Sequence, residues 1–164
     1  MSIHPTKYLL IFLCMLGCAC HVTRETNHRT DKEMVSNFQS HKAEFGKLLA
    51  MFKADKGLHY FSNGHTRPKD LSSVGVTQQR LKEYQEIFSA LGLDGIGDVS
   101  VSNNKDEVWF FTATRGSRES TFKHYAFVPH PTRGVVEDLD TAASKAAPYR
   151  RIEGDWYLAL DDAD

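Results

Sequence analysis

The sequence predicts an α+β domain in which two N-terminal helices pack on one face of a 4–5-stranded antiparallel meander sheet. Apolar residues recur first with helical spacing and then, in the second half of the chain, at every other position. Short turns join the segments with the second spacing, and this arrangement is typical of an antiparallel sheet next to helices. The length of 164 residues fits one domain.

The first predicted helix spans about residues 32–56. Thr30 and Glu33 have the spacing of a capping box, in which the side chain of each residue bonds the backbone N–H of the other. One apolar stripe follows: Met34, Val35, Phe38, Phe45, Leu48, Leu49 and Phe52. Gly57 is a typical helix stop, and 58–76 is predicted to be a loop. Thr77 is the predicted cap of a second helix, which ends at Gly92.

The remaining segments alternate with a period of two and predict strands. They comprise residues 96–102, 107–114, 121–128, 149–153 and 156–161. The last two are predicted to form a hairpin across Gly154-Asp155, since glycine tolerates the positive φ of a two-residue turn. The connection 129–148 has no clear period and is compatible with a short strand or a helical turn.

Residues 1–17 have the organisation of a processing signal. Lys7 precedes an apolar run over residues 8–17. As a helix this run rises only about 15 Å, which is half of a bilayer core. The segment is therefore predicted to be removed rather than to span a membrane permanently.

The end of this run, Met15-Leu16-Gly17-Cys18, resembles the lipobox of bacterial lipoproteins, although Met15 stands where leucine is usual. The resemblance implies cleavage before Cys18, acyl chains such as palmitate on that cysteine, and attachment to the membrane. Residues 18–30 are polar and predicted to be a tether, and 31–164 the folded domain. Because Ala19 is not aspartate, the resemblance implies the outer membrane facing the periplasm in a Gram-negative cell.

Three alternatives for this segment stay open. It is also compatible with an ordinary secretory signal cut near Ala19, with an uncleaved anchor, or with a start codon assigned too far upstream. Cys14, Cys18 and Cys20 are the cysteines of the whole sequence. The predicted domain therefore has no disulfide framework and no thiolate metal site.

The charge distribution argues against nucleic acid as a partner, and the sequence motifs indicate no catalytic activity. The formal net charge is -1 with the basic residues scattered, so no nucleic-acid surface is predicted. The sequence contains no Gly-x-Ser-x-Gly elbow, no phosphate-binding glycine loop and no His-Glu-x-x-His motif. We therefore predict no catalytic residues, no metal and no cofactor.

The candidate binding surface combines strand aromatics with a loop. Its members are Trp109, Phe111, Tyr125, Trp156, His59, His65 and Arg67. Because neighbouring strand residues face opposite sides, only some of these aromatics can face the helices, and the others would form a partner surface. The alternatives are that residues 129–148 cover the second face and that the loop at 57–68 is an ordinary surface connection.

Two functional hypotheses follow. The first is a lipid-anchored, non-enzymatic binding protein whose partner is another envelope protein, or a toxin if the chain is immunity-like. The second is a small envelope hydrolase in which His59, His65 and His124 meet a carboxylate. A small-ligand sensor with an aromatic cleft is a further alternative.

Several segments of the mature chain resemble a family of uncharacterised bacterial lipoproteins. They are Leu48-Leu49-Ala50-Met51-Phe52, Thr66-Arg67-Pro68, Val74-Gly75-Val76, Arg80-Leu81-Lys82-Glu83-Tyr84, Glu107-Val108-Trp109-Phe110 and Ile152-Glu153-Gly154-Asp155-Trp156-Tyr157-Leu158. The resemblance spans most of the chain. It implies an envelope location and a small α+β domain, and it implies no activity.

Overall fold

A computed structural model gives the fold and describes residues 29–62, 64–98, 106–112, 121–142 and 148–162. The elements are α1 (Asp31–Ser40), α2 (Lys42–Ala54), β1 (Tyr60–Ser62), β2 (His65–Arg67), α3 (Gln78–Leu91), β3 (Leu93–Asp98), β4 (Val108–Thr112), β5 (Thr121–Phe127), β6 (Tyr149–Glu153) and β7 (Trp156–Asp162). The domain is α+β with an antiparallel sheet, as predicted.

The sheet is larger than predicted and is not a simple meander. Its described strands number seven, in the order β2-β1-β3-β4-β5-β7-β6. The prediction of 4–5 strands is therefore wrong, and so is the meander order, because β7 lies between β5 and β6. Residues Tyr157, Leu158, Ala159 and Leu160 of β7 are all buried, so both faces of this strand are covered. A strand buried on both faces is favoured at an interior position of the sheet.

The two additional strands lie where the sequence predicts a loop. β1 and β2 form a hairpin in which Phe61 is opposite Thr66, and β1 continues the sheet by pairing with β3. Each strand has only three residues, which is too short to display a period of two. The turn follows Ser62 and includes Gly64 at φ 105°. Asn-Gly at this place in the sequence is itself a strong hairpin signal.

The predicted continuous helix over 32–56 is broken at His41, and the described chain therefore has three helices instead of two. His41 has φ -130° and ψ 30°, and its ring N–H donates to the carbonyl of Asn37 at 2.9 Å. In a straight helix, residues seven apart are about 10.5 Å apart along the axis. The rings of Phe38 and Phe45 are instead 5.1 Å apart, and both pack on Trp156.

The helix ends agree with the predicted capping. Thr30 and Glu33 form the capping box at the start of α1. The side chain of Thr77 accepts a hydrogen bond from the Arg80 N–H at the start of α3, and Gly92 ends this helix with φ 66°. Only glycine adopts that left-handed conformation without strain.

The two faces of the sheet have different coverings. A large apolar cluster joins α1, α2 and α3 to one face, with side chains such as Phe45, Tyr84, Ile96 and Leu158. We call the other side the helix-free face. Its buried cluster comprises Trp109, Ala126, Val128, Tyr149, Tyr157 and Ala159, with Phe111 packed against it. These residues come from the strands and, for Val128, from the end of β5.

Candidate functional site

Two rows of residues cross the helix-free face, because residues opposite each other in an antiparallel pair lie on the same face. The first row is Arg67, Tyr60, Gly97, Trp109, Ala126, Tyr157 and Arg151. The second row begins with His65, Ser62, Gly95 and Phe111 and continues through His124, Ala159 and Tyr149. The face therefore brings together four of the predicted surface residues: Trp109, Phe111, His65 and Arg67.

Glycines allow two aromatic rings to lie across β3. A Cβ atom added at Gly97 would be 2.9 Å from a ring carbon of Tyr60 and 3.2 Å from one of Phe111. The rings of Tyr60 and Phe111 are 5.5 Å apart, and both residues are half-buried. His65 and Arg67 are exposed on β2. We call Tyr60, His65, Arg67 and Phe111 the edge patch, since it occupies the β2 edge of the helix-free face.

A second group lies on the same face, and we call Trp109, Tyr149 and Glu107 the aromatic cage. Its two aromatic residues are buried, and Glu107 is half-buried. The Glu107 carboxylate accepts hydrogen bonds from Trp109 Nε1 at 2.7 Å and from the Tyr149 hydroxyl at 2.6 Å. The guanidinium carbon of Arg133 lies 5.1 Å from the Trp109 ring centre and 5.6 Å from that of Tyr149. These distances are typical of cation–π contacts.

The aromatic cage includes residues that the sequence did not single out. Glu107 lies just before β4, and its hydrogen bond with Tyr149 of β6 depends on the order of the strands. Arg133 belongs to the connection 129–148, whose sequence has no period from which its contacts could be inferred. Arg133 packs on the helix-free face, as the alternative to an open aromatic surface requires, whereas Leu139 of the same connection belongs to the core on the helix-covered face.

Tyr125 and Trp156, by contrast, lie on the helix-covered face. The Tyr125 hydroxyl donates to the Met34 carbonyl at 3.1 Å and accepts from the Asn37 amide at 3.1 Å. Burial raises the pKa of Tyr125 despite the opposing effect of the Asn37 hydrogen bond. Trp156 packs against Phe38 and Phe110, each at 5.1 Å between ring centres. Tyr125 is therefore part of the core, and the half-buried Trp156 packs against it.

His59 is separated from the other histidines considered in the sequence. Its Nδ1 lies 2.8 Å from an oxygen of Asp98, whose side chain is buried. His59 precedes β1 with the same side-chain parity as the core residue Phe61, whereas His65 and His124 belong to the helix-free face. The geometry gives a histidine–carboxylate pair but does not join the three histidines in one site.

A partly buried ion cluster lies at the start of α1, and no local sequence pattern indicates it. Lys123 Nζ is 2.5 Å from a carboxylate oxygen of Asp31 and 2.5 Å from one of Asp140. The guanidinium of Arg150 is 3.0 Å from Asp31, which also accepts the Leu139 N–H at 2.7 Å. The side chains of Lys123 and Asp31 are each only 3% exposed. Two acids and two bases thus neutralise one another, with Asp31 and Lys123 inside the fold and Asp140 at its surface.

The ion cluster also bears on metal binding. Carboxylate oxygens of Asp31, Asp138 and Asp140 lie within 4.8 Å of one another. The ammonium of Lys123 already contacts two of these three groups, so a metal ion would have to displace it. Burial raises the pKa of Asp140, but hydrogen bonds from Lys123 and from the Asp31 N–H outweigh this and hold the pKa below its ordinary value. The cluster is therefore a set of mutually satisfied charges.

Comparison with known proteins found no matching family model, no matching curated protein and no matching solved structure. The predicted signal 1–17, Cys18 and the tether up to residue 28 lie outside the described residues. Among the residues that are described, no helix has the length and apolar character needed to cross a membrane.

Proposed function

We propose that the chain is a bacterial-type lipoprotein, held at the cell envelope by lipid on Cys18, whose domain binds an envelope partner without catalysing a reaction. The observation that carries the binding part is the edge patch. Tyrosine and arginine are enriched where proteins bind one another, and Tyr60 and Arg67 are opposite each other in the β1–β2 register. A partner protein is favoured over a small molecule, because this surface lies on a sheet face.

The anchor is supported by the sequence. A short apolar run ends in Met15-Leu16-Gly17-Cys18, and two or more acyl chains suffice for stable membrane attachment. In a Gram-negative cell the proposed location is the outer membrane, facing the periplasm. The test is the intact mass of the protein from the membrane fraction of the producing cell. We expect a chain that starts at Cys18 with added acyl mass, and a Cys18→Ala variant without it. A soluble, unacylated wild-type chain would contradict the anchor.

The binding surface is tested separately by photo-crosslinking in intact cells. A photoreactive phenylalanine analogue replaces Phe111 in the edge patch, and a control carries it in place of Lys47, which is exposed on α2. We expect a discrete adduct of higher mass from position 111 and none from position 47. Substituting Arg67→Ala in the first protein should reduce the adduct severalfold. Equal adducts from both positions would contradict a role for the edge patch.

A small envelope hydrolase is the second candidate, and the His59–Asp98 pair is the observation that favours it. A carboxylate that fixes one ring nitrogen of a histidine leaves the other nitrogen available as a general base. The test is hydrolysis of a panel of chromogenic esters by the purified domain. An activity that His59→Ala abolishes and Asp98→Asn reduces strongly would support this candidate over a binding protein.

A further inference from the structure

The aromatic cage has the chemistry of a site for an organic cation. Two aromatic rings and a carboxylate are the groups that bind guanidinium and quaternary ammonium ions in proteins. The Trp109 side chain is 1% exposed and Tyr149 is fully buried, so both rings are shielded from water. Both rings lie beside alanines, since Trp109 is opposite Ala126 and Tyr149 is opposite Ala159.

The cation in this site comes from the chain itself. Arg133 reaches over both rings from the segment 131–136, which runs along the outer edge of β6. Two backbone bonds hold this segment: Val136 N–H donates to the Tyr149 carbonyl at 2.7 Å, and Tyr149 N–H donates to the Gly134 carbonyl at 2.8 Å. Gly134 and Val135 are exposed. Leaving β6 would break these two bonds and the isolated bridge between Val135 and Tyr149, and it would withdraw Val136 from the core cluster, while the pairs between the seven strands stay intact.

We propose that Trp109, Tyr149 and Glu107 form a binding site for a guanidinium or quaternary ammonium group, which Arg133 fills from within the chain. An external cation enters when the segment 131–136 moves off β6. Arg133 thereby acts as an internal competitor, and only a partner or ligand that carries such a group can replace it. This inference concerns the folded domain and does not depend on the lipid anchor or on the edge patch.

The first experiment empties the site. Arg133→Ala removes the internal cation, and Arg151→Ala is the matched control, because Arg151 stacks on Tyr157 but is exposed. Thermal unfolding is followed with 20 mM guanidinium chloride and with 20 mM urea, its neutral analogue, at equal ionic strength.

A ligand at a concentration of about ten times its Kd raises the Tm by roughly 2–5 °C. We expect this rise for Arg133→Ala with guanidinium only, and we expect Glu107→Gln in the same chain to abolish it. Equal responses of Arg133→Ala and Arg151→Ala would overturn the proposal.

The second experiment titrates the wild-type chain, and a variant serves only to assign its signals. The indole N–H of Trp109 donates to Glu107 and gives an NMR signal distinct from that of Trp156, assigned with Trp156→Phe. Titration with guanidinium, and separately with tetramethylammonium, should shift the Trp109 signal saturably while urea does not. A Trp109 signal that responds to none of the cations would show that Arg133 is a permanent part of the fold, and the proposal would fail.

Discussion

The two faces of the sheet are built on different principles. On the helix-covered face, large side chains from helices and strands interlock, as Phe45 does with Tyr125 at 4.7 Å and with Trp156 at 5.8 Å. On the helix-free face, aromatic rings lie across glycines and alanines and contact charged side chains. Trp109, for example, donates a hydrogen bond to Glu107 and lies under the guanidinium of Arg133. The first arrangement gains its stability from apolar burial, whereas the second also holds polar groups in fixed positions.

This difference assigns separate roles to the two faces. A core of interdigitating aromatics loses packing when any member is truncated, and it offers no access to a partner. A face with fixed charges beside aromatic rings can exchange its internal contacts for contacts with another molecule. We therefore expect substitutions on the helix-covered face to act on stability, and those on the helix-free face to act on both stability and binding.

The largest effect is expected from Phe45→Ala. The Phe45 side chain is fully buried and packs on Phe38, Phe110, Tyr125 and Trp156, so its removal leaves a large cavity between the helices and the sheet. The free energy of unfolding should fall by about 3–5 kcal/mol, measured by urea denaturation.

Phe111→Ala is the matched control on the helix-free face. Its ring is half-buried, and we expect a loss of roughly 1–2 kcal/mol. Similar losses for both would contradict the contrast between the faces.

The second-largest loss of stability is expected when the ion cluster at the edge of the helix-covered face is broken. Lys123→Met removes the ammonium and leaves Asp31 buried with one of its two cationic partners. Breaking a buried ion pair by removing one partner costs about 3 kcal/mol. Lys53→Met is the control, because Lys53 is exposed and contacts the Phe127 ring at 4.4 Å; we expect a change below about 1 kcal/mol. Unchanged urea midpoints for Lys123→Met would mean that the cluster is not a stabilising feature.

Sequence periodicity predicts the fold where an element is long enough to show it. The capping residues Thr30 and Thr77 and the hairpin at Gly154 lie where the local sequence predicts them. The break at His41 was not predictable in this way, because the apolar stripe of α1 continues into α2. Its cause is tertiary: Phe38 and Phe45 converge on the same tryptophan, which lies more than a hundred residues later in the chain.

The candidate sites also depend on contacts between distant residues, which local sequence patterns do not predict. Alternation along β4 puts Trp109 and Phe111 on the same side of the strand, and both lie on the helix-free face. Which face the helices cover depends on long-range packing, so Tyr125 and Trp156 were grouped with residues from the other side. Glu107, Arg133 and Lys123 have partners from distant strands and loops. No local pattern identifies such contacts in a single sequence.

A smaller loss of stability is expected when a side chain is added between β1 and β3. In Gly95→Ala the new Cβ would lie 2.7 Å from the Phe61 carbonyl oxygen and 2.8 Å from the Ser62 Cβ, so β1 must move away from β3. We expect a loss of about 1–3 kcal/mol in urea denaturation and a weaker crosslink from position 111. Gly46→Ala is the control. A Cβ at this position on α2 meets no atom within 4 Å, and alanine should stabilise the helix by about 0.5–1 kcal/mol. A neutral Gly95→Ala would show that β1 is free to shift.

The smallest effect is a pH dependence at Asp140. Its pKa in the folded chain lies below the ordinary value of 3.8, because hydrogen bonds from Lys123 and the Asp31 N–H outweigh the effect of burial. A carboxyl group with a lowered folded-state pKa binds its proton more readily when the chain is unfolded. Its contribution to stability is therefore complete above pH 3.8 and is lost as the pH falls through the folded-state pKa.

Asp140→Asn removes this contribution. The side chain of Asp140 is 39% exposed, and solvent screening limits the effect at neutral pH to roughly 0.3–1 kcal/mol. The difference between the two chains should narrow as the pH is lowered from about 5 to about 2 in urea denaturation. Glu86→Gln is the control, since Glu86 is exposed and 4.0 Å from Lys82. A difference for Asp140→Asn that is constant with pH would mean that a change in packing, rather than the lost charge, accounts for the destabilisation.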